Sequence, residues 1–145
     1  MSTSLDGKIA LVTGSGRGMG RSHAVLLAER GAELILHDIL EAELAETAGM
    51  IRAQGRDART ILCDIRDVAK FQSAVRGMGR IDILVNNAGV GGQRLMMEDI
   101  DEEIFDRMFS VHVRGTFFAT QAVLPGMKDR KEGKIVNTSS IFAMG

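Results

Sequence analysis

The chain has 145 residues, of which 45% are hydrophobic and 26% charged, and its formal net charge is −1. These values are typical of one soluble globular domain, and the balanced charge excludes the basic surface that nucleic acid or an anionic membrane would require. No segment approaches the roughly 18 apolar residues of a membrane span, and the N-terminal MSTSLDGK lacks the apolar core of a signal peptide. Cys63, the single cysteine, lies among apolar residues, so we expect it to be buried and reduced. We therefore expect a cytoplasmic protein with a small-molecule partner.

Short apolar runs alternate along the chain with longer segments of helical periodicity. The predicted strands are residues 9–14, 33–38, 58–64, 81–87 and 134–140. The predicted helices are residues 19–30, 41–53, 67–76 and about 101–128, with a kink or early end at Pro125. Because the strands are almost continuously hydrophobic, we expect them to be buried on both faces of a parallel sheet. The alternation predicts one α/β domain over residues 1–145, a doubly wound parallel sheet in three αβα layers.

A glycine-rich segment, TGSGRGMG at residues 13–20, follows the first predicted strand. Its spacing matches neither G-x-G-x-x-G nor the P-loop, which ends in Gly-Lys-Ser/Thr. In a doubly wound sheet a ligand binds beyond the strand ends, where the next helix offers free N–H groups to a phosphate. The segment therefore predicts a phosphate-binding loop to which Arg17 and Met19 belong, and the alternative is a glycine-rich turn without a ligand.

The glycines of this segment have different predicted tasks. We expect Gly14 to form the turn that leaves the strand and Gly18 to let a pyrophosphate approach the backbone closely. Gly20 is expected to allow close packing of the helix on the sheet. Gly16 is predicted to be a turn residue only.

An acidic residue, Asp38, ends the second predicted strand 18 residues after Gly20. A carboxylate there can accept hydrogen bonds from both ribose hydroxyls of the adenosine half of a dinucleotide, and it would repel a 2′-phosphate. Arg17 is a basic residue that could pair with the 2′-phosphate of NADP. Ile39, which is also assigned to the site, supplies no second cation. We predict that NAD is bound in preference to NADP. For Asp38 taken alone, the alternative is a solvated acid in a strand-end turn, and its coincidence with the glycine-rich segment favours the binding role.

Four motifs occur in order along the chain: T-G-x-x-x-G-x-G at residues 13–20, Asp64 ending the third strand, N-N-A-G at 86–89 and I-V-N-T-S-S at 135–140. Together they resemble the short-chain dehydrogenase/reductase family. The resemblance implies a Rossmann-type fold with strand order 3-2-1-4-5, the family's later strands being absent from this sequence. It also implies a nicotinamide cofactor, an alcohol or ketone substrate and a homo-oligomer, either a dimer or a tetramer.

The resemblance further assigns roles to individual residues. It implies that Asp64 and Ile65 hold the adenine ring. It also implies that the loop after the fourth strand lines the cofactor cleft and braces the sheet, through Asn87, Ala88 and Gly89.

The catalytic machinery of the family is only partly represented. The resemblance implies that Ser140 polarises the substrate carbonyl, whereas the residues alone are interpreted as a capped strand end. In the family a tyrosine acts as acid or base, with a lysine four residues later. This chain contains no tyrosine and ends at Gly145, before that segment. A serine hydroxyl needs neighbouring positive charge to exchange protons near neutral pH, so Ser140 alone cannot replace the pair.

His112 stands where the family has an asparagine that is thought to hold a water in the proton relay. An imidazole both donates and accepts hydrogen bonds, which makes His112 a candidate for the same role. The alternative is a helix histidine packed against the sheet edge. His23 and His37 have no Cys, Asp or His at metal-ligand spacing, so we predict no metal site.

Two functions remain open at this point. The first is an NAD-dependent oxidoreductase that transfers hydride between the cofactor and an alcohol or ketone, and the second is a catalytically silent NAD-binding fragment or interaction module. An S-adenosylmethionine methyltransferase would also need glycines and an acid after the second strand, but N-N-A-G and T-S-S argue against it. Because the strand at 134–140 would be a free sheet edge, we expect the polypeptide to continue or a partner chain to cover it.

Overall fold

A computed structural model describes residues 4–91 and 95–140 and contains one parallel sheet of five strands. The strands are β1 Ile9–Thr13, β2 Glu33–Asp38, β3 Ala58–Leu62, β4 Ile83–Asn86 and β5 Lys134–Asn137. They lie in the order β3-β2-β1-β4-β5, and every neighbouring pair is parallel. The predicted fold class and strand order are therefore confirmed.

Helices connect the strands. They are α1 Gly18–Glu29, α2 Glu41–Ala53, α3 Val68–Gly77, α4 Glu102–Phe109 and α5 Thr116–Arg130. A short 3-10 helix, Met97–Asp99, precedes α4, and a π-helical segment, Ser110–Gly115, joins α4 to α5. No helix within the described residues is long and apolar enough to cross a membrane.

The sheet separates two hydrophobic cores, which explains why its strands do not alternate between polar and apolar residues. On one face, Leu11 and Ile35 pack with residues of α3 and α5 such as Phe71. On the other, Val12 and Leu36 pack with residues of α1 and α2. Neighbouring residues of one strand thus enter different cores, and both need apolar side chains.

The predicted helix over residues 101–128 is divided in the structure. The backbone changes to π-helical geometry at Ser110–Gly115, which the helical periodicity does not indicate. An early end at Pro125 is not observed, because α5 continues to Arg130. Val123 and Met127, on either side of the proline, are buried in the core, and this packing offsets the backbone hydrogen bond that proline removes.

All five strands point the same way, so the loops after them meet at one edge of the sheet. Strand β3 ends at Leu62, which places Cys63 and Asp64 in the loop that follows. Cys63 is buried as expected, and burial raises the pKa of its thiol, which makes it a weak nucleophile.

Candidate functional site

A cleft of about 480 Å³ opens at the carboxyl ends of the strands. This is where parallel α/β sheets bind ligands. Most of the residues predicted to contact a cofactor line the cleft: Gly14, Arg17, Gly18, Met19, Asp38, Ile39, Asp64, Ile65, Asn87, Ala88 and Gly89. The tertiary structure thus brings together residues from four separate loops.

The glycines of the first loop meet different steric demands. Gly14 has a φ of 63°, and a Cβ there would lie 2.8 Å from Ala88 Cα. A Cβ on Gly20 would overlap the Gly14 carbonyl and approach Asn87 Nδ2 to 2.6 Å, so Gly20 allows helix α1 to pack tightly against the turn. Gly18 differs from both, because it combines a φ of 58° with open space around the position of a Cβ. That opening lies on the cleft, where a ligand can approach the backbone.

The interpretation of Gly16 as a turn residue only is wrong. Its N–H donates to Asp38 Oδ2 at 2.8 Å, and its carbonyl accepts from Arg21 and lies 3.1 Å from Thr47 Oγ1. A Cβ at this position would lie 2.9 Å from Asp38 Oδ2, so a side chain would displace the carboxylate. The sequence pattern does not reveal this role, because Asp38 is distant along the chain.

The N-terminus of α1 has no side-chain cap. Arg17 occupies the N-cap position with extended backbone, and the first turn contains no acidic residue. By contrast, Asp67 accepts from Lys70 N at the start of α3, and Asp101 accepts from Ile104 N at the start of α4. The first N–H groups and the positive end of the α1 dipole are therefore left for an anion in the cleft.

Asp38 is buried, and its carboxylate is held by backbone. Oδ1 accepts from the N–H groups of Ile39 and Leu40 at 2.8 and 3.1 Å, while Oδ2 accepts from Gly16. A carboxylate offers about four acceptor sites, so these bonds leave one available. The carboxylate is thus fixed in orientation on the wall of the cleft.

Thr13 and Asn87 join the loops after β1 and β4. The buried Thr13 Oγ1 accepts from Asn87 N at 3.0 Å and Ala88 N at 2.9 Å. In return, Asn87 Nδ2 donates to the carbonyls of Thr13 and Gly14. These bonds connect two walls of the cleft directly.

Asp64 and Ile65 form the wall after β3. The guanidinium of Arg66 donates to both oxygens of Asp64, and this pairing holds the pKa of the Asp64 carboxyl below its usual value. Ile65 is buried against the π-helical segment, where a Cβ on Gly115 would lie 3.2 Å from its side chain. Gly115 therefore lets that segment approach the cleft wall.

The two predicted catalytic residues lie outside the set that lines the cleft. His112 is exposed in the π-helical segment, and its Nε2 lies 3.2 Å from Val90 N and 3.0 Å from Val90 O. The ring also contacts Gly89, where a Cβ would lie 2.6 Å from His112 Cε1. Ser140 is exposed and follows β5, the strand that pairs with β4.

Sequence reasoning missed several residues that line the cleft: His37, Leu40, Cys63, Arg66, Val90, Arg107 and Val111. Most of them adjoin a predicted residue, so adjacency to a strand end is the signal that would have found them. Arg107 and Val111 carry no such signal, because they reach the cleft from α4 and from the π-helical segment. Within residues 4–91 and 95–140, no group of three or more His, Cys, Asp or Glu side chains is placed to hold a metal ion.

Comparison with known proteins gives the same class as the fold and the cleft. The family model described as short chain dehydrogenase matches residues 8–144. The chain belongs to the short-chain dehydrogenase family. An uncharacterised oxidoreductase of Thermotoga maritima is 40% identical over 136 residues, which are 92% of this chain and 54% of that protein. The chain spans about half the length of the curated oxidoreductases it matches.

Solved structures of the family superimpose closely. A carveol dehydrogenase from Mycobacterium avium in complex with NAD has a TM-score of 0.90 and 34% identity, covering 99% of this chain and 58% of that one. A gluconate 5-dehydrogenase from Burkholderia cenocepacia J2315 in complex with NADP and tartrate has a TM-score of 0.86 and 36% identity, covering 94% and 55%.

Proposed function

We propose that this chain is the cofactor-binding part of an NAD-dependent oxidoreductase that transfers hydride between the cofactor and an alcohol or ketone. The observation that carries the proposal is the uncapped N-terminus of α1 beside Gly18, in a cleft that also contains the fixed carboxylate of Asp38. The cofactors in the solved relatives, NAD in one and NADP in the other, support a nicotinamide dinucleotide as the ligand class.

The residues of the cleft fit such a dinucleotide. The N–H groups that begin α1 suit the pyrophosphate, because they are unsatisfied donors at the positive end of a helix dipole. Gly18 lets a phosphate approach without meeting a side chain. Asp64 and Ile65 present a polar and an apolar surface to the adenine ring. When bound, the nicotinamide ring supplies the hydride chemistry, which no side chain of this chain provides.

Asp38 is the basis for preferring NAD over NADP. Three backbone N–H groups leave one acceptor site on its carboxylate. We therefore propose that Asp38 accepts from one ribose hydroxyl and not from both. A 2′-phosphate would bring a second negative charge to a carboxylate that three backbone bonds prevent from turning away. Arg17 favours NADP instead, because it is an exposed cation on the same cleft and would attract a 2′-phosphate.

Ser140 and His112 are proposed as the catalytic contributions of this chain. Ser140 would donate its hydroxyl hydrogen bond to the substrate carbonyl, and His112 would take part in the proton relay. The position of β5 beside β4 supports this assignment, since it brings residues after β5 to the edge of the sheet at which the cleft opens. The catalytically silent alternative is not favoured, because the relatives matched over most of this chain include oxidoreductases.

Fluorescence titration of the purified protein with NADH and with NADPH tests the proposal. We expect NADH to bind more tightly. Replacing Gly18 by alanine is expected to weaken NADH binding by about tenfold or more, because a methyl group would occupy the space of a charge-assisted phosphate contact. Binding of neither dinucleotide would refute the proposal, and much tighter binding of NADPH would refute its NAD preference.

Gly55→Ala is the matched control for this variant. Gly55 has a φ of 77°, no atom within 4 Å of a Cβ position, and a place at the end of α2 away from the cleft. Both substitutions impose the strain of a left-handed backbone, roughly 1 kcal/mol, so they should lower stability similarly. Only Gly18→Ala should change the affinity for NADH. Equal affinities in the two variants would mean that Gly18 does not contact the cofactor.

A further inference from the structure

Arg21 binds the back of the glycine loop. Its Nε donates to Gly16 O at 3.0 Å and to Thr47 Oγ1 at 3.0 Å, and its Nη2 donates to the same Gly16 carbonyl. Nη2 also pairs with Glu46 of α2 at 2.7 Å. Arg21 lies on α1, and its guanidinium therefore connects the glycine loop to α2. Arg21 does not belong to the described residues that line the cleft.

Thr47 anchors the same carbonyl from α2. Its side chain is fully buried, and Oγ1 lies 3.1 Å from both Gly16 O and Glu43 O, so its hydroxyl donates to one or the other. The carbonyl of Gly16 thus faces donors from two helices. A glycine has more backbone freedom than any other residue, and these bonds restrict that freedom at Gly16.

The anchored residue holds Asp38 in place. Gly16 N lies 2.8 Å from Asp38 Oδ2, and the backbone is so close that a Cβ on Gly16 would lie 2.9 Å from that oxygen. A contiguous set of hydrogen bonds therefore runs from α2 through Arg21 and Gly16 to the carboxylate on the cleft wall. We propose that Arg21 is a positioning residue for cofactor selectivity, which it exerts by fixing Gly16 and, through it, the carboxylate of Asp38.

The proposal rests on the proposed binding of NAD, and it makes a signed prediction. Without Arg21 the Gly16 N–H is less constrained, so the carboxylate can turn away from the ribose. NADH then loses an acceptor, while NADPH escapes part of the repulsion. The ratio of the NADPH to the NADH dissociation constant should fall. If the positive charge of Arg21 acted directly on the 2′-phosphate, its removal would weaken NADPH binding and raise that ratio instead.

The experiment measures both dissociation constants by fluorescence for the wild-type protein and for Arg21→Gln. We expect the ratio to fall by about fivefold, the effect of losing roughly one hydrogen bond. Thr47→Val, which keeps the volume but removes the hydroxyl, should lower the ratio in the same direction and serves if Arg21→Gln does not fold. Glu46→Gln is the control, because it removes the exposed ion pair and leaves the bonds to Gly16.

The same substitution in an Asp38→Asn background separates positioning from a general structural effect. With no carboxylate at position 38, Arg21→Gln should change the ratio much less than in the wild-type background, because an asparagine does not repel the 2′-phosphate. The melting temperature is expected to fall in both backgrounds. An equal change of the ratio in both backgrounds, or no change in either, would overturn the inference. The proposed function would still stand if the wild-type protein bound NADH. A wild-type protein that binds neither dinucleotide would overturn both.

Discussion

His37 shows at the scale of one residue how burial determines protonation. Its ring lies edge-on to Phe71, and Nε2 lies 3.0 Å from the Cys63 carbonyl, so Nε2 must carry the hydrogen. Nδ1 is buried, and no hydrogen-bond partner for it is present in the described part of the chain. Burial lowers the pKa of His37, although the Cys63 carbonyl and the charges of Asp38 and Asp64 oppose this effect. We therefore infer that the ring is neutral in the folded protein near neutral pH.

This burial predicts how stability depends on pH. Below the ordinary histidine pKa of about 6.5, the unfolded chain binds a proton that the folded chain does not, so the free energy of unfolding should fall as the pH falls. The loss begins near that value and continues down to the lowered pKa of folded His37. Replacing His37 by glutamine should remove this part of the slope, measured by urea unfolding at several pH values. An unchanged slope would contradict the assignment.

The residues that line or shape the cleft are predictable where the signal is local. Gly14, Gly18, Gly20 and Asp38 are recognisable because each adjoins a strand end or a helix start. Gly16 was misinterpreted, since its role depends on a carboxylate 22 residues away. No local pattern indicates that a backbone N–H will meet that side chain.

At the scale of elements, helix α1 begins in the cleft without a side-chain cap. Arg17 has the extended backbone of an N-cap residue but supplies no side-chain acceptor, whereas α3 and α4 begin with aspartate caps. An N-cap acceptor would satisfy the same N–H groups that a phosphate would use.

This competition gives a prediction with a matched pair of variants. Arg17→Asn and Arg17→Gln both remove the positive charge, but only asparagine is a good N-cap residue. The asparagine variant should be more stable than the glutamine variant by roughly 0.5–1 kcal/mol in chemical unfolding. It should also bind NADH more weakly by titration. A more stable asparagine variant with unchanged NADH affinity would show that the α1 N-terminus does not bind the cofactor.

The π-helical segment is an element that sequence pattern does not reveal. Helical periodicity continues through Ser110–Gly115, yet the geometry changes there. The segment packs where Gly115 meets Ile65 and where His112 reaches the backbone of Val90. The π-helical geometry thus coincides with contacts to two other loops. The sequence of the segment alone does not indicate these contacts. The strand and helix bounds, by contrast, differ from the predicted ones by only a few residues.

At the scale of the whole molecule, the outer face of α4 and α5 is unusually apolar. Residues four apart along this face are each more than half exposed: Phe105, Phe109, Val113 and Phe117. The rings of Phe105 and Phe109 stack at 4.4 Å. Exposed apolar patches of this kind typically mark protein–protein contacts, so we propose that this face forms the homo-oligomer expected from the family resemblance.

Self-association through this face is testable by sedimentation velocity over a range of protein concentrations. Phe117→Glu should shift the protein toward the monomer, because a charge would be buried without a partner at the interface. Leu26→Glu, which places the same charge on an exposed site of α1, is the control and should leave association unchanged. A wild-type protein that remains monomeric at every concentration would refute the proposal.

The sequence by itself determined the class of fold and the positions of the main loops. Buried strands, amphipathic helices and strand-end glycines and acids are local signals, because each reflects the surroundings of a short segment. Only the tertiary structure decided that Gly16 supports Asp38, that Arg21 and Thr47 support Gly16, and that Arg107 reaches the cleft. Those contacts join residues from different elements, and their geometry depends on how the helices pack on the sheet.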